Sequence, residues 1–233
     1  MAVTRPKRSD ELANAIADLI IERKLQPGAS LPPENVLMEE LGVSRNSIRE
    51  SLKALQALGI VEIKHGYGTF VGSASSTALH PWLLFRTRLA GSDTEQLSEL
   101  LEVREILETE LTRRVATTET EELRDRLTGC VERMRGDGPD AAVADREFHE
   151  HICDAAGVSL ARELVGLFWD VYRKVEGELE TITTSPDEVA GRHQQVIDAI
   201  GSGDADQAEE SVHTHFREVR DRLHTGPYRA RRA

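Results

Sequence analysis

The sequence predicts a mainly α protein in two parts: an N-terminal unit of three helices closed by a small β-hairpin, and a C-terminal all-α bundle of six helices. Three observations carry this. Residues 9–58 hold three short apolar periodicities of helical spacing, and a strand–turn–strand pattern follows them. From Asp93 to about Leu223, six stretches keep helical spacing and none reads as a strand. The charge divides at the same place: residues 1–72 carry 9 Lys/Arg and 9 Asp/Glu, residues 73–233 carry 20 and 32, and the whole net charge of −12 lies in the second part.

Taken in order, Leu12, Ile16, Leu19 and Ile20 give residues 9–24 one buried face, with Ser9 as the expected N-cap. Leu25 to Pro33 breaks the pattern as a turn. Glu34 to Leu41 is a short helix started by Pro32 and Pro33 and ended by Gly42. Ser44 caps a third helix from Arg45 to about Leu58, so the turn Gly42-Val43-Ser44 joins a helix-turn-helix. Ile60 to Lys64 and Thr69 to Val71 are the strands of a wing whose tip is His65-Gly66-Tyr67-Gly68. Residues 73–92 read as a less regular linker.

The third helix has two faces. Ile48, Leu52 and Leu55 form the buried one, and Arg45, Arg49 and Lys53 the other. A helix of this size fits the major groove, where Arg pairs with guanine O6 and N7, and recognition helices meet bases near their N-terminal half. Arg45 and Arg49 stand there, with Asn46 and Ser47 as short donors and His65 and Gly66 at the wing tip. Phosphates need cations, so the acidic second part is excluded as the DNA-facing surface. The partner expected for residues 1–72 is therefore double-stranded DNA. No apolar run is long enough to span a membrane, no leader pattern opens the chain, and Cys130 and Cys153 fit no CxxC motif, which together suit a cytoplasmic protein with reduced thiols.

The helical stretches of the second part run roughly 93–116, 119–135, 140–156, 158–181, 186–201 and 204–224. Three carry an anomaly. Asp145 and His149 lie in the apolar stripe of the third, His193 in that of the fifth and His215 in that of the sixth. His151 and His213 share their sides with charged residues and read as solvent-facing. Inward polar groups need partners. Either each histidine is satisfied within the core, or Asp145, His149, His193 and His215 together hold a divalent metal of the Zn, Ni, Mn or Fe kind. Arg104 shares a face with Leu100, Leu107 and Leu111, so its guanidinium points inward and needs an anion, either Glu108 or an incoming carboxylate. Leu160, Leu164, Phe168 and Val171 are expected in the core, and Trp169 and Tyr172 line either a pocket or a dimer face.

The segment LQPGASLPPENVLMEELGVSRNSIRESLKALQALGIVEIKHGYGTFV resembles the winged-helix domain of the GntR family of bacterial regulators over residues 10–72. The resemblance implies that Arg45, Asn46, Ser47, Arg49, His65 and Gly66 meet DNA. The DREFHEHI segment and the run GRHQQVIDAIGSGDADQAEESVHTHF are similar to the effector (FCD) domain of the FadR subfamily. That likeness implies a metal site of Asp145, His149, His193 and His215, with Arg104 receiving a carboxylate metabolite. The resulting expectation is a winged helix-turn-helix at 1–72, a linker at 73–92, an effector and dimerisation domain at 93–226 and a basic tail at 227–233. The expected protein is no enzyme but a homodimeric repressor that reads a pseudo-palindromic operator. Two rivals remain at this point: a metal-dependent hydrolase fused to a DNA-binding module, and a helical domain that only dimerises.

Overall fold

The computed structural model describes residues 8–73, 75–89, 95–118, 120–136, 138–176 and 185–225, and the expected tail at 227–233 lies outside them. The chain divides into two compact units, residues 1–79 and 80–233.

In the first unit α1 spans Arg8–Glu22, α2 Glu34–Leu41 and α3 Arg45–Ala57; β1 (Val61–Lys64) and β2 (Gly68–Val71) follow. Ser9 lies one residue inside α1 rather than at its cap. Gly42 ends α2 at φ 64°, a left-handed conformation that costs glycine little. The Ser44 side chain accepts from the Ser47 amide and starts α3, a cap worth about 1 kcal/mol. Ile16, Leu37, Ile48, Leu52 and Leu55 of the three helices pack with Val61 and Val71 of the hairpin into one core.

The strands pair antiparallel, with Val61 opposite Val71 and Lys64 opposite Gly68. Residues 28–31, expected as turn alone, add an extended third segment. The Gly28 and Leu31 amides donate to the Val71 and Thr69 carbonyls, and the Val71 amide donates to Ala29 O. Pairing with β2 was invisible in a stretch of Gly and Pro. At Gly72 a Cβ would lie 2.1 Å from Gly59 O, so only glycine lets the outgoing chain cross there.

The second unit holds α4 (His80–Leu89), α5 (Glu95–Ala116), α6 (Glu121–Met134), α7 (Pro139–Ala155), α8 (Ser159–Glu176), α9 (Pro186–Gly201) and α10 (Ala205–Thr225). Among the described residues the six expected helices are present, with α4 as a further one inside the stretch read as an irregular linker. Its run of consecutive apolar residues, Trp82 to Phe85, hides the helical period. Leu83 nonetheless docks into the core with Leu97, Leu101 and Val171. Thr120 caps α6, and Ser185 forms a reciprocal capping box with Glu188 at the start of α9.

Helix α5 packs along α10 and against α8, α7 packs on α6 and α8, and α9 closes against α6 and α10. One core joins Leu127, Val131, Phe148, Val165 and Ile197; the other joins Leu101, Val171, Phe216 and Val219. Leu160, expected inside, is 63% exposed, because α8 turns Ala161, Val165 and Tyr172 inward instead. Cys130 and Cys153 are free and buried, and burial pushes the Cys153 thiol up to about 12. None of the described helices is long and apolar enough to cross a membrane.

Candidate effector and DNA-recognition sites

Four helices bring their inward polar groups to one place. The capped start of α9 and the i, i+4 spacing within α7 fix the register. His149, His193 and His215 are all buried. Their ring centroids are 5.4 Å (His149–His193), 5.4 Å (His149–His215) and 4.7 Å (His193–His215) apart. One nitrogen from each lies within 4.8 Å of the others.

The hydrogen bonds on the far sides of the rings decide what the near sides offer. His193 Nδ1 lies 2.8 Å from Val189 O, so it donates there and leaves the lone pair on Nε2. His149 Nδ1 lies 2.6 Å from Glu108 Oε2. Both Nε2 atoms then face Asp145 Oδ1, at 3.4 Å from His149 and 3.2 Å from His193. His193 Nε2 and His215 Nδ1 are buried without a hydrogen-bond partner. Ring nitrogens and a carboxylate oxygen that converge as acceptors need a proton or a cation between them. Three imidazoles, one carboxylate and an outer carboxylate on His149 suit a divalent transition metal. The residues therefore fit the metal that their pattern suggests.

The titration of the cluster follows from the same contacts. Burial pushes the Asp145 carboxyl up, but His149 and His193 outweigh it and hold the group well below its ordinary range. Burial also disfavours charge on His149, yet Glu108 and Asp145 beside it carry the imidazole up to about 9. His215 moves the other way: burial and the neighbouring His193 and His149 push it well below its usual value.

Arg104 stands beside the histidines, 4% exposed, with its guanidinium 5.3 Å from the Phe216 ring. Its Nε donates to Glu108 Oε1 at 2.8 Å, so Glu108 is an anion for it within the fold. Its Nη2 remains buried and without a hydrogen-bond partner. Burial raises the Glu108 carboxyl, but Arg104 and His149 overcome this and keep it lowered and ionised. A cavity of about 390 Å³ is lined by Arg104, Asp145, the three histidines and Phe216, and also by Trp169 and Tyr172. The last two belong to the pocket, which sequence spacing left undecided.

Two other histidines fill in the picture. His151 is half-buried. His213 does not simply face solvent: its Nδ1 lies 2.7 Å from Glu105 on α5, an acid one helix away that its own helix does not reveal. Arg173 and Arg192, which line the cavity, were not legible as site residues. A charge next to a histidine on an amphipathic helix ordinarily reads as a solvated face.

In the first unit Arg45, Asn46, Ser47, Arg49, His65 and Gly66 are all exposed. Arg49 and Lys53 share a groove with His65, Gly66 and Tyr67, so that face of α3 and the wing tip form one surface. Asn46 and Ser47 line the neighbouring groove beside Ser44 and Glu11, on the flank of α3 toward α1. Sequence spacing gave no sign of Glu34. Its carboxylate lies 3.0 Å from Arg49 Nε and 4.0 Å from Arg45 Nε, and so ties both arginines to the start of α2.

Comparison with known proteins agrees with both units. Residues 8–71 match the family described as bacterial regulatory proteins, gntR family, and residues 99–218 match the FCD domain. The chain is 31% identical to the HTH-type transcriptional regulator Mce2R of Mycobacterium tuberculosis, over 90% of this chain and 89% of that protein. It is 29% identical to the HTH-type transcriptional regulator LutR of Bacillus subtilis, over 88% of this chain and 96% of LutR. Among solved structures, a GntR protein of Streptococcus agalactiae matches with a TM-score of 0.70 and 26% identity, covering 91% of this chain and 99% of that one.

Proposed function

The chain belongs to the GntR family of transcriptional regulators and joins its DNA-binding domain to an FCD effector domain, and from that premise we propose that it is a homodimeric repressor released from its operator by a carboxylate metabolite bound at a metal site. The observation that carries this reading is the convergence of three buried imidazoles and Asp145 in the cavity where Arg104 keeps one donor unpaired.

Asp145, His149, His193 and His215 hold the metal, which when bound supplies a Lewis-acidic position for a carboxylate oxygen. Glu108 fixes the ring and tautomer of His149 and the charge of Arg104 together. Arg104 Nη2 donates to the incoming carboxylate and so gains the partner that the fold withholds. Trp169, Tyr172 and Phe216 give the ligand's carbon skeleton an apolar wall. Among the described cavity residues, the one carboxylate outside the ligand set, Glu176, is engaged by Tyr172 and Arg173, which favours sensing over hydrolysis.

Dimerisation is supported by an apolar face on the helical unit. Trp82, Phe85 and Leu89 on α4 are 61%, 62% and 70% exposed, at a spacing that puts them on one side. Arg86 on that same side pairs with Glu99 of α5 at 2.5 Å. Glu99 begins a stripe on α5 that continues through the exposed Val103 and Ile106. Exposed apolar side chains gathered on one side suit an interaction site, and a second copy would bury them about a two-fold axis. The two recognition helices then meet the halves of a pseudo-palindrome, with Arg45, Arg49, His65 and Gly66 toward the DNA and Asn46 and Ser47 on the flank. Release requires that the ligand favour one dimer arrangement over the other.

The test is a thermal-shift screen of carboxylic acids with metal-loaded and chelated protein, paired with metal analysis. An acid that raises the midpoint only with metal present supports the reading. An empty site and no response to any acid would reduce the histidines to packing groups.

A further inference from the structure

We propose that the effector carries two carboxylates, the second received by Arg192, which lines the same cavity as the histidine cluster. This rests on the metal-carboxylate reading above and goes beyond it in naming the class of acid.

The cavity of about 390 Å³ has far more room than one carboxylate needs. Its lining holds further cations besides Arg104. Arg192 stands next to His193 on α9, and its side chain is only 13% exposed. Nη1 donates to Glu218 at 3.2 Å, while Nε and Nη2 have no hydrogen-bond partner among the described residues. The residue lines the cavity. Glu218 answers one end of the guanidinium and leaves two donors for an anionic group of a ligand in the cavity.

Arg173 is a third cation of the lining. Trp169, Tyr172, Arg173 and Glu176 follow one another at i, i+3, i+4 and i+7 on α8, and all four line the cavity. The Arg173 guanidinium lies 5.7 Å from the Trp169 ring, with Nη1 on Glu176 at 2.8 Å. Among the described residues, three arginines thus line the cavity against two acids, Asp145 and Glu176. Asp145 belongs to the metal set, and Glu176 is taken by Arg173 and by the Tyr172 hydroxyl at 2.6 Å. A monocarboxylate seated between the metal and Arg104 leaves those two donors of Arg192 unused. An acid with a second carboxylate further along its chain answers both, with its carbon skeleton against Trp169.

The experiment is calorimetric titration of full-length, metal-loaded protein with straight-chain diacids from succinate to suberate, each beside the monoacid of equal length. At least one diacid is expected to bind about tenfold or more tightly than its monoacid, as a charge-assisted contact gives. In Arg192→Gln that diacid's affinity falls onto the monoacid's. Monoacids that bind while no diacid exceeds its match would overturn the proposal and leave the metal-carboxylate reading standing. So would a diacid advantage that survives Arg192→Gln. Wild-type protein that binds neither series would remove the metal-carboxylate reading itself. The wild-type comparison needs no variant, so a poorly folding Arg192→Gln protein does not stop the test.

Discussion

Glu108 Oε2 lies 2.6 Å from His149 Nδ1, with both side chains almost completely buried. The other oxygen of the same carboxylate holds Arg104. One acid on α5 therefore orients a metal-ligand candidate on α7 and neutralises the guanidinium that faces the cavity. Glu108→Ala leaves Arg104 buried and unpaired, which costs about 3–5 kcal/mol. Glu108→Gln keeps the volume and an acceptor, and lowers metal affinity by about 10–100-fold. Urea unfolding and metal titration of the two variants separate these effects; unchanged values in both would remove Glu108 from its double role.

His193→Ala and His215→Ala each lose bound metal while remaining folded helical proteins. Elemental analysis after dialysis, read with circular dichroism, checks this. Full occupancy in both variants would remove these two residues from the ligand set.

The metal-free protein becomes less stable as pH rises from about 6.5 toward 9. His149 has its folded-state value raised from 6.5 to about 9, so its contribution is fully present below about 6.5 and is lost as pH climbs through 9. The amount is on the order of 2–4 kcal/mol. Metal binding requires the unprotonated ring, so affinity rises over the same window, by at most about tenfold per pH unit for one proton released. Denaturant melts of chelated protein across this range should show the slope. A flat profile would mean that His149 is neutral without metal.

Arg49→Ala weakens binding to the specific operator by about 1–3 kcal/mol for each half-site and relaxes its sequence preference. Effector binding by the second unit is unchanged. Equal operator affinity in wild type and variant would take α3 out of base recognition. Glu34→Gln frees both arginines from their shared carboxylate and should raise non-specific DNA affinity, measurable as a steeper salt dependence.

Phe85→Glu places a charge in the apolar face of α4 and shifts the protein toward monomer in sedimentation experiments. Operator affinity falls with it, because one recognition helix holds only half a site. A variant that stays dimeric would place the dimer contact elsewhere.

What the sequence determined by itself was the order and kind of the elements. Period and caps are local: Ile48, Leu52 and Leu55 mark the buried face of α3, Ser44 starts it, and Gly66 and Gly68 turn the wing. The same periodicity turned Asp145, His149, His193 and His215 inward on three helices before any packing was known. Tertiary structure decided what those groups meet. Glu108 reaches His149 from 41 positions earlier in the chain, Glu105 reaches His213 from α5, and Glu34 gathers Arg45 and Arg49 from another helix. It decided too that α4 is a docked helix, that Leu160 faces outward, and that Arg192 turns toward the cavity. The physical reason is one of range. Helical period and capping act over three or four residues along the chain, whereas ion pairs, orphaned donors and cavities depend on which helices lie side by side.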